Sequence, residues 1–389
     1  MVKNRKCDFC QTDILDPAYK VPTSSFGVEV CICNYCGLVQ SIKTKEIKKR
    51  KTKSISCDAD WGNVRHGKEL RLNEVLFLLN KVNWRSIDKI LDVGSNRGDF
   101  ILWLKNRGYK GEIIAIEPDS SVISEYRNLS KVKLHVKKFE DVNFKNNYFD
   151  FIFCFHTLEH TNSASFALKK IFNILKTDGT LFLEVPNIEQ IQERDNVEEF
   201  FIDKHTFHFN RCLLLKYLKA IGFKIVFGEK DTQKSNITII AEKKERSLKK
   251  IKIAEQGLVE ENKRLIDRYI HTLEVNRNKL KKVGAILNQF IEKQRVAFWG
   301  GGRIFDSLVK YGNLNPQKAV CVVDKYLAGK IDNVYGIKLE KPEILKMVDT
   351  DVVIILAKSS VLEIEKEVRK YGVRHVIKFK DIIEGFYSE

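Results

Sequence analysis

Short, continuously apolar runs alternate with longer helical stretches through the middle of the chain. Runs of this kind indicate strands that are buried on both faces of a sheet. The predicted strands are KILDVG at 89–94, GEIIAIE at 111–117, a weaker run at 132–136, FDFIFCF at 149–155 and TLFLEV at 180–185. Strands that alternate with helices predict an α/β fold with a parallel, doubly wound sheet.

The same construction plan returns in the last hundred residues. The predicted elements are a strand at 295–299 (RVAFW), a Gly-rich turn at 300–303, a helix at 304–311, and strands at 319–323, 351–356 and 376–379. Before them, residues 241–294 are densely charged and carry apolar residues at helical spacing. We expect one or two long helices there, and a disordered linker is the alternative.

Length and charge bound the number of domains and the class of partner. The chain has 389 residues, 43% of them hydrophobic, which is enough for two domains and a small third. The formal net charge is +17, which suits an anionic partner, either nucleic acid or a phosphorylated substrate. A lysine-rich proteome is the third explanation. The densest basic run, KTKEIKKRKTK at 43–53, has no aromatic residue that could stack on a base. We expect a solvated linker there.

No part of the sequence predicts a membrane segment. The first residues, MVKNRKCDFC, are charged and polar without a following apolar run, unlike a secretory signal. No stretch approaches the roughly 18 consecutive apolar residues of a spanning helix. We therefore expect a cytoplasmic protein without membrane insertion, in which disulfides do not form.

Four of the nine cysteines form two Cys-x-x-Cys pairs. Cys7 and Cys10 make the first pair, and Cys33 and Cys36 make the second, with 22 residues between the pairs. Each pair can give two thiolates to one tetrahedral ion, so together they predict a structural Zn²⁺ site. Four unrelated buried thiols are the alternative, and a redox pair is disfavoured because no βαβ unit surrounds it. The first ~40 residues are too short for a core of their own, and a metal ion could replace it.

A glycine turn closes the first predicted strand of the central sheet. The segment 92–98, DVGSNRG, contains Asp92, Gly94, Ser95, Asn96 and Gly98, and it opens a helix. Glycines allow the backbone to approach a ligand, and the helix N-terminus offers free N–H groups. Glu117, at the end of the next strand, can accept hydrogen bonds from both hydroxyls of a ribose. This arrangement predicts a cofactor that contains adenosine.

The acid before the turn selects among such cofactors. A dinucleotide site has the pattern G-x-G-x-x-G, which is incomplete here, and Asp92 would repel a pyrophosphate. The same carboxylate suits a ligand with a cationic ammonium and sulfonium. We therefore expect S-adenosyl-L-methionine.

At this point the sequence resembles the class I S-adenosylmethionine-dependent methyltransferases. The shared motifs are the glycine turn, FDFI at 149–152, LEH at 158–160 and LKTDGTL at 175–181, in the family's order. Together, their order and spacing supply a context that one motif lacks. The resemblance implies a central Rossmann-like sheet and a transferase of the class EC 2.1.1. We also expect Pro118, Asp141 and His156 to contact the cofactor.

A narrower resemblance covers nearly the whole chain. The turn GSNxG at 94–98, the segment CNYCGLVQ at 33–40 and the C-terminal Gly-rich turn, with Asp324 after the next strand, are similar to features of the sugar C-methyltransferase family. The resemblance implies a zinc-binding domain and basic linker at 1–55, a methyltransferase domain at 56–240, a helical linker at 241–294 and a second Rossmann-like α/β domain at 295–389. It also implies that the last domain closes over the nucleotide part of the substrate.

The family's active-site segment, His-Glu-His-x-x-Tyr-Phe, is only partly present. DKHTFHF at 203–209 retains the second His as His205, while Lys204 replaces the Glu. We expect His205 to be the general base, with His208 second, because a His near neutral pKa suits proton abstraction. A capping or core role for either His is the alternative. Arg65 and Lys68 could bind the cofactor carboxylate or a substrate phosphate, or lie on a solvated face.

The predicted function is methyl transfer to a nucleotide-linked deoxysugar, at a carbon next to a keto group. The alternatives are an O-methyltransferase that acts on a sugar or surface-glycan precursor, a zinc-containing RNA methyltransferase, and a binding module without turnover. An RNA enzyme would need a basic surface with aromatic residues and would leave the C-terminal domain unexplained, so nucleic acid is the less favoured partner. The C-terminal turn lacks the last glycine of the dinucleotide pattern, which disfavours nicotinamide binding.

Overall fold

The computed structural model describes residues 6–13, 15–45, 78, 87–127, 129–191, 199–228, 234–244, 256–329, 331–357 and 360–384. Arg65, Lys68 and most of the predicted basic linker therefore lie outside the described residues. Contacts between α-carbons divide the chain into two units. The larger unit comprises Met1–Lys49, His66–Glu193 and Phe200–Tyr269, and the smaller unit comprises the remainder.

A four-stranded antiparallel sheet begins the larger unit. Its strands are β1 (Leu15–Lys20), β2 (Val28–Cys33), β3 (Val39–Lys43) and, from much later in the chain, β9 (Phe207–His208). The strand order is β1-β2-β3-β9. Because β2 is buried along nearly its whole length, this small sheet packs against other elements and does not stand alone.

The central sheet of the larger unit has seven strands. They are β4 (Lys89–Val93), β5 (Glu112–Ile116), β6 (Val132–His135), β7 (Phe149–Phe155), β8 (Leu175–Pro186), β10 (Phe223–Gly228) and β11 (Asn236–Lys243). Their order is β10-β11-β8-β7-β4-β5-β6. The five strands β8, β7, β4, β5 and β6 are parallel to one another. Strand β11 pairs antiparallel with β8, and β10 pairs antiparallel with β11. The expected α/β class with a parallel-rich sheet is confirmed.

In the part of the chain that the structure describes, four helices flank the central sheet. They are α1 (Asp99–Asn106), α2 (Ile123–Tyr126), α3 (Ala164–Ile174) and α4 (Arg211–Ile221). Polar side chains cap the N-termini of two of them. The Ser163 hydroxyl accepts a hydrogen bond from the Phe166 N–H, and the Asn210 side-chain oxygen accepts one from the Cys212 N–H. Buried apolar residues on both faces of the sheet form two clusters, as a parallel sheet requires.

The end of the central sheet differs from the sequence-based expectation. Residues 241–243 were expected to begin a helical linker, yet they complete β11, where Ala241 pairs with Leu181 and Glu242 with Thr180. The antiparallel partner decides this, because local composition does not reveal a distant pairing. The long helix, α5 (Gln256–Lys293), begins later and continues for 38 residues.

The smaller unit contains a six-stranded sheet. Its strands are β12 (Val296–Trp299), β13 (Cys321–Val323), β14 (Asn333–Val334), β15 (Ile337–Glu340), β16 (Val352–Ile355) and β17 (His375–Lys378). Its helices, besides part of α5, are α6 (Arg303–Gly312), α7 (Val361–Lys370) and α8 (Phe379–Glu384). The sheet is parallel except for the β14–β15 pair. Among the helices of the described residues, none is long and apolar enough to cross a bilayer.

Candidate functional site

The strand order of the central sheet reverses between β4 and β7. From β4 the chain builds outward through β5 and β6, and then returns to the other side through β7 and β8. In open α/β sheets, ligands bind outside the carboxyl ends of the strands at such a switch point. The glycine turn after β4 and the segment that begins at His156 after β7 both lie at this edge.

Gly94 is required by the close approach of the chain after β7. Its φ is +73°, and a Cβ there would lie 1.9 Å from the hydroxyl oxygen of Thr157. That hydroxyl donates to the carbonyl of Val93 at 3.0 Å. The Gly94 and Ser95 N–H groups in turn donate to the carbonyl of Ile116, at 2.8 and 3.0 Å. The turn is thus held between β5 and the end of β7.

Glu117 projects from the end of β5 and holds the same turn. Its Oε2 accepts from the Asn96 N–H at 2.9 Å, and its Oε1 accepts from the Asp119 N–H at 3.0 Å. A carboxylate has about four lone-pair sites, so two remain for ligand hydroxyls. The half-buried side chain is therefore oriented to accept from a ribose diol.

Asp92 lies beneath the turn and is only 2% exposed. Burial raises the pKa of its carboxyl well above the usual value, and the charges of Glu117 and Asp99 add to the rise. Burial also raises the pKa of Glu117. Two acids in one buried corner repel each other, and a cation between or beside them would relieve the cost of their charge. This chemistry fits a cofactor with a sulfonium and an ammonium group.

The other residues expected at the cofactor are spread along the same edge. Pro118 is exposed after Glu117, and Asp141 is exposed at the end of a 3₁₀ turn, Phe139–Asp141, after β6. Gly98, with φ of +80°, begins α1. Tyr126 was not expected here: its hydroxyl lies 2.7 Å from the Ser95 hydroxyl and 2.8 Å from the Asn96 carbonyl. No local motif marks Tyr126, since only the fold brings it to the turn.

A buried carboxylate and several imidazoles lie after β7. Glu159, in the 3₁₀ turn Leu158–His160, is 1% exposed. Nδ1 of His156 lies 3.5 Å from its Oε1, and Nε2 of His160 lies 3.9 Å away. Nε2 of His156 also lies 3.0 Å from Oε1 of Glu184, which is itself buried. The sequence identified LEH only as a family motif and assigned no role to Glu159.

His205 and His208 face this cluster from the segment before α4. The rings of His160 and His205 are 4.8 Å apart, and those of His205 and His208 are 6.3 Å apart. Burial lowers the pKa of His205 to about 4, although Glu159 opposes the shift. Burial lowers the pKa of His208 well below its usual range, and its Nε2 lies 2.8 Å from the Ser41 hydroxyl. Both imidazoles are therefore neutral at neutral pH.

Glu159, His160 and His205 each bring one possible metal-ligand atom to within 4.8 Å of the others. A carboxylate among imidazoles does not require an ion, because a protonated imidazole can neutralise its charge.

Cys7, Cys10, Cys33 and Cys36 fit a metal ion much better. The Cys7 and Cys36 sulfurs are 3.5 Å apart, and those of Cys10 and Cys33 are 3.4 Å apart. Four sulfurs at bonds of about 2.3 Å around a tetrahedral ion are about 3.8 Å apart. Three of the four side chains are buried, and Cys10 is partly exposed. The structure thus brings together the four cysteines for which the sequence predicts a structural Zn²⁺ ion, and their donor set and spacing suit such an ion.

The cysteine cluster and the His205 segment are connected through β3. Val39 pairs with His208, and Gln40 pairs with Phe207. The Ser41 N–H donates to the carbonyl of Thr206 at 2.8 Å. Because β3 begins only three residues after Cys36, the second cysteine turn lies next to the strand that holds the candidate catalytic segment.

Comparison with known proteins agrees with this geometry. Residues 63–226 match a family model described as a methyltransferase domain. An uncharacterised protein of Methanocaldococcus jannaschii is 31% identical over 160 residues, which are 41% of this chain and 65% of that protein. The ubiquinone/menaquinone biosynthesis C-methyltransferase of Neisseria meningitidis is 27% identical over 113 residues, 28% of this chain and 46% of that enzyme. The chain thus spans about half to two thirds of these relatives.

Among solved structures, that of a Pyrococcus horikoshii protein has a TM-score of 0.39 at 17% identity and covers 46% of this chain and 93% of that one. At this score and identity the likeness supports no functional inference. The family match and the glycine turn that Glu117 holds are stronger evidence of function. Over residues 63–226 this chain is similar to methyltransferase domains.

Proposed function

We propose that this protein transfers a methyl group from S-adenosylmethionine to a nucleotide-linked deoxysugar, at a carbon next to a keto group. The observation that carries the cofactor part is the pair of acids, Asp92 and Glu117, on the two sides of the glycine turn. Glu117 keeps lone pairs for a ribose diol, and a bound cation would favour the ionised form of the buried Asp92, whose pKa is raised by burial. Gly94, Ser95, Asn96 and Gly98 complete the proposed cofactor site.

The sugar part of the proposal is supported by the order of segments along the chain. The paired cysteines, the GSNxG turn, the segment at 203–209 and the C-terminal Gly-rich turn follow the order seen in the sugar C-methyltransferase family. We also propose the four domains that this order implies, at 1–55, 56–240, 241–294 and 295–389, except that residues 241–243 belong to the second of them because they complete β11. The net charge of +17 suits a diphosphate on the substrate.

We propose His205 as the general base. Carbon methylation requires the loss of a proton next to the ketone, and a neutral imidazole can accept it. S-adenosylmethionine supplies an electrophilic methyl group on a sulfonium. His208 is the weaker candidate, because its Nε2 is engaged with the buried Ser41 hydroxyl and its backbone pairs with Val39 of β3. His156, Pro118 and Asp141 are proposed at the edge of the cofactor site.

We propose a structural Zn²⁺ ion at Cys7, Cys10, Cys33 and Cys36. All four positions around the ion would be filled by protein, which leaves none for water or substrate. The turn at Gly37 also has support from outside the cysteine pairs: the buried Asn262 side chain donates to the Gly37 carbonyl at 2.8 Å.

The Glu117→Gln substitution tests the proposed ribose contact. An amide can accept fewer and weaker hydrogen bonds than a carboxylate, so affinity for S-adenosylmethionine should fall about 10- to 100-fold. Isothermal titration calorimetry measures the change. Glu112→Gln is the matched control, because Glu112 is an exposed acid at the other end of the same strand; its affinity should stay at the wild-type value. Equal losses in both variants would contradict the assignment.

Cofactor affinity should depend on pH through Asp92. A bound cation favours the ionised carboxylate, so the pKa of Asp92 must be lower in the complex than in the free protein. Affinity for S-adenosylmethionine should therefore rise as pH increases between these two values and level off above the raised free value. Calorimetry across pH 5 to 9 follows this slope. It should be smaller in Asp92→Asn, and an unchanged slope there would exclude Asp92 as its source.

The Cys36→Ser substitution tests the zinc site. A hydroxyl is a poor zinc ligand, so bound zinc should fall from about one ion per chain to well below half. Elemental analysis measures the zinc, and limited proteolysis should show faster cleavage within the first 45 residues. Cys31→Ser changes a buried cysteine of the same sheet that lies outside the cluster, and it should keep the ion. Full zinc content in Cys36→Ser would argue against the site.

Incubation with methyl-labelled S-adenosylmethionine and a panel of nucleotide-linked keto-deoxysugars tests the reaction itself. NMR of the product should place the label on a ring carbon next to the ketone. His205→Gln should lower turnover by about 10²-fold or more, the usual contribution of a general base. Label on a sugar oxygen would instead support the O-methyltransferase alternative, and near-normal turnover in His205→Gln would remove that residue from the mechanism.

A further inference from the structure

Glu159 is a buried acid, and its negative charge needs a neighbouring group that stabilises it. It is 1% exposed, and a ring nitrogen of His156 lies 3.5 Å from its Oε1, at the limit of a hydrogen bond. A buried carboxylate without hydrogen bonds is costly, and proteins normally pair it or keep it protonated. A neighbouring group must therefore account for the position of this side chain.

Imidazoles surround the carboxylate. His156 and His160 lie 3.5 and 3.9 Å from Oε1, and a ring nitrogen of His205 lies within 4.8 Å. Burial raises the pKa of Glu159, but the hydrogen bond and charge of His156, with smaller contributions from His160 and His205, hold it below the ordinary value. The carboxylate is thus ionised, and its natural partner is a protonated imidazole.

The backbone fixes His205 beside this carboxylate. The residue before it, Lys204, accepts a hydrogen bond from Nδ1 of His160 through its carbonyl, at 3.0 Å. The residue after it, Thr206, donates its N–H to the carbonyl of Glu159 at 2.7 Å. Both neighbours of His205 are therefore bonded to the 3₁₀ turn that carries Glu159, so the two side chains cannot move apart independently.

The carboxylate beside His205 belongs to Glu159, in a different segment from the one that carries His205. In the sugar C-methyltransferase segment a Glu precedes the retained His, whereas this chain has Lys204 there. Lys204 offers a positive charge that opposes protonation of His205. A negative charge from the turn at 158–160 replaces the one that the segment itself lacks.

We propose that Glu159 is a positioning residue that acts through His205, because its negative charge stabilises the imidazolium that forms when His205 takes a proton from the substrate. The proton moves from the substrate carbon to the ring, and the pair of Glu159 and His205 then carries no net charge. Only the catalytic consequence rests on the proposed function, since the pairing itself can be measured without substrate.

The groups that face His205 determine whether its pKa rises or falls when Glu159 loses its charge. Burial, His160, His156 and Lys204 disfavour the imidazolium, and Glu159 favours it. His208 also lies next to the ring, and it is neutral. When Glu159 loses its charge, every remaining influence opposes protonation. The pKa of His205 must then fall below its value of about 4.

Nitrogen-15 NMR of histidine-labelled protein tests the pairing between pH 7 and pH 4. In the wild type, the His205 signals should move toward the imidazolium shifts, reaching their midpoint at about pH 4. In Glu159→Gln the midpoint should fall by about one unit or more, so the ring stays neutral across the range. Glu159→Asp keeps the charge and should restore most of the shift.

Glu184→Gln is the matched control. It neutralises another buried acid that contacts His156, and it should leave the His205 midpoint unchanged. A midpoint in Glu159→Gln equal to that of the wild type would overturn the proposal. So would a second bound metal ion that Glu159→Gln removes while the zinc of the four cysteines stays, because the cluster would then be a metal site.

The kinetic test uses any keto-sugar that the wild type methylates. Glu159→Gln should lower kcat about 10-fold or more and leave the KM for S-adenosylmethionine nearly unchanged, because the lost interaction acts only on the proton transfer. An unchanged kcat would overturn the catalytic role. If the wild type accepts no sugar of the panel, the proposed function fails, while the NMR titration still decides whether Glu159 and His205 are paired.

Discussion

The pairing of β3 with residues 206–208 is the interaction on which the candidate site depends. Two short strands with little core of their own join the cysteine-rich sheet to the segment that carries His205. Asp203, at the start of that segment, also accepts hydrogen bonds from the Ser24 and Ser25 side chains. The N-terminal sheet therefore acts as a support for the proposed base, and the proposed zinc ion stabilises the support.

Hydrogen bonds and a ring contact join the first cysteine turn to α3 and α4, two helices that flank the central sheet. The Asp8 carboxylate accepts from the Ser163 hydroxyl at 2.5 Å and from the Ser165 N–H at 2.7 Å, at the start of α3. Negative charge at a helix N-terminus is favourable. Phe9 stacks on Tyr217 of α4 with ring centres 3.8 Å apart. The first cysteine turn is thus built into the core of the larger unit, where the core cluster also includes three of the four cysteines.

Sequence reasoning succeeded where the signal was local and failed where a distant partner made the decision. The strands at 89–93 and 149–155 are continuously apolar, and the structure has them as β4 and β7. The antiparallel strand β11 was partly assigned to a helical linker, since its charged end reads like the helix that follows. The two-residue strand β9 has no pattern of its own and exists only because β3 lies beside it.

The sequence alone determined the candidate chemistry: spaced cysteine pairs, an acid before a glycine turn, and a His in a segment that resembles a known family. Each of these depends on residues close together in the chain, where covalent geometry limits what they can do. Only the tertiary structure decided that Glu159 and His205, 46 residues apart in the sequence, share one buried corner. Burial and the distance between charges set their protonation, and neither quantity is encoded in any local pattern.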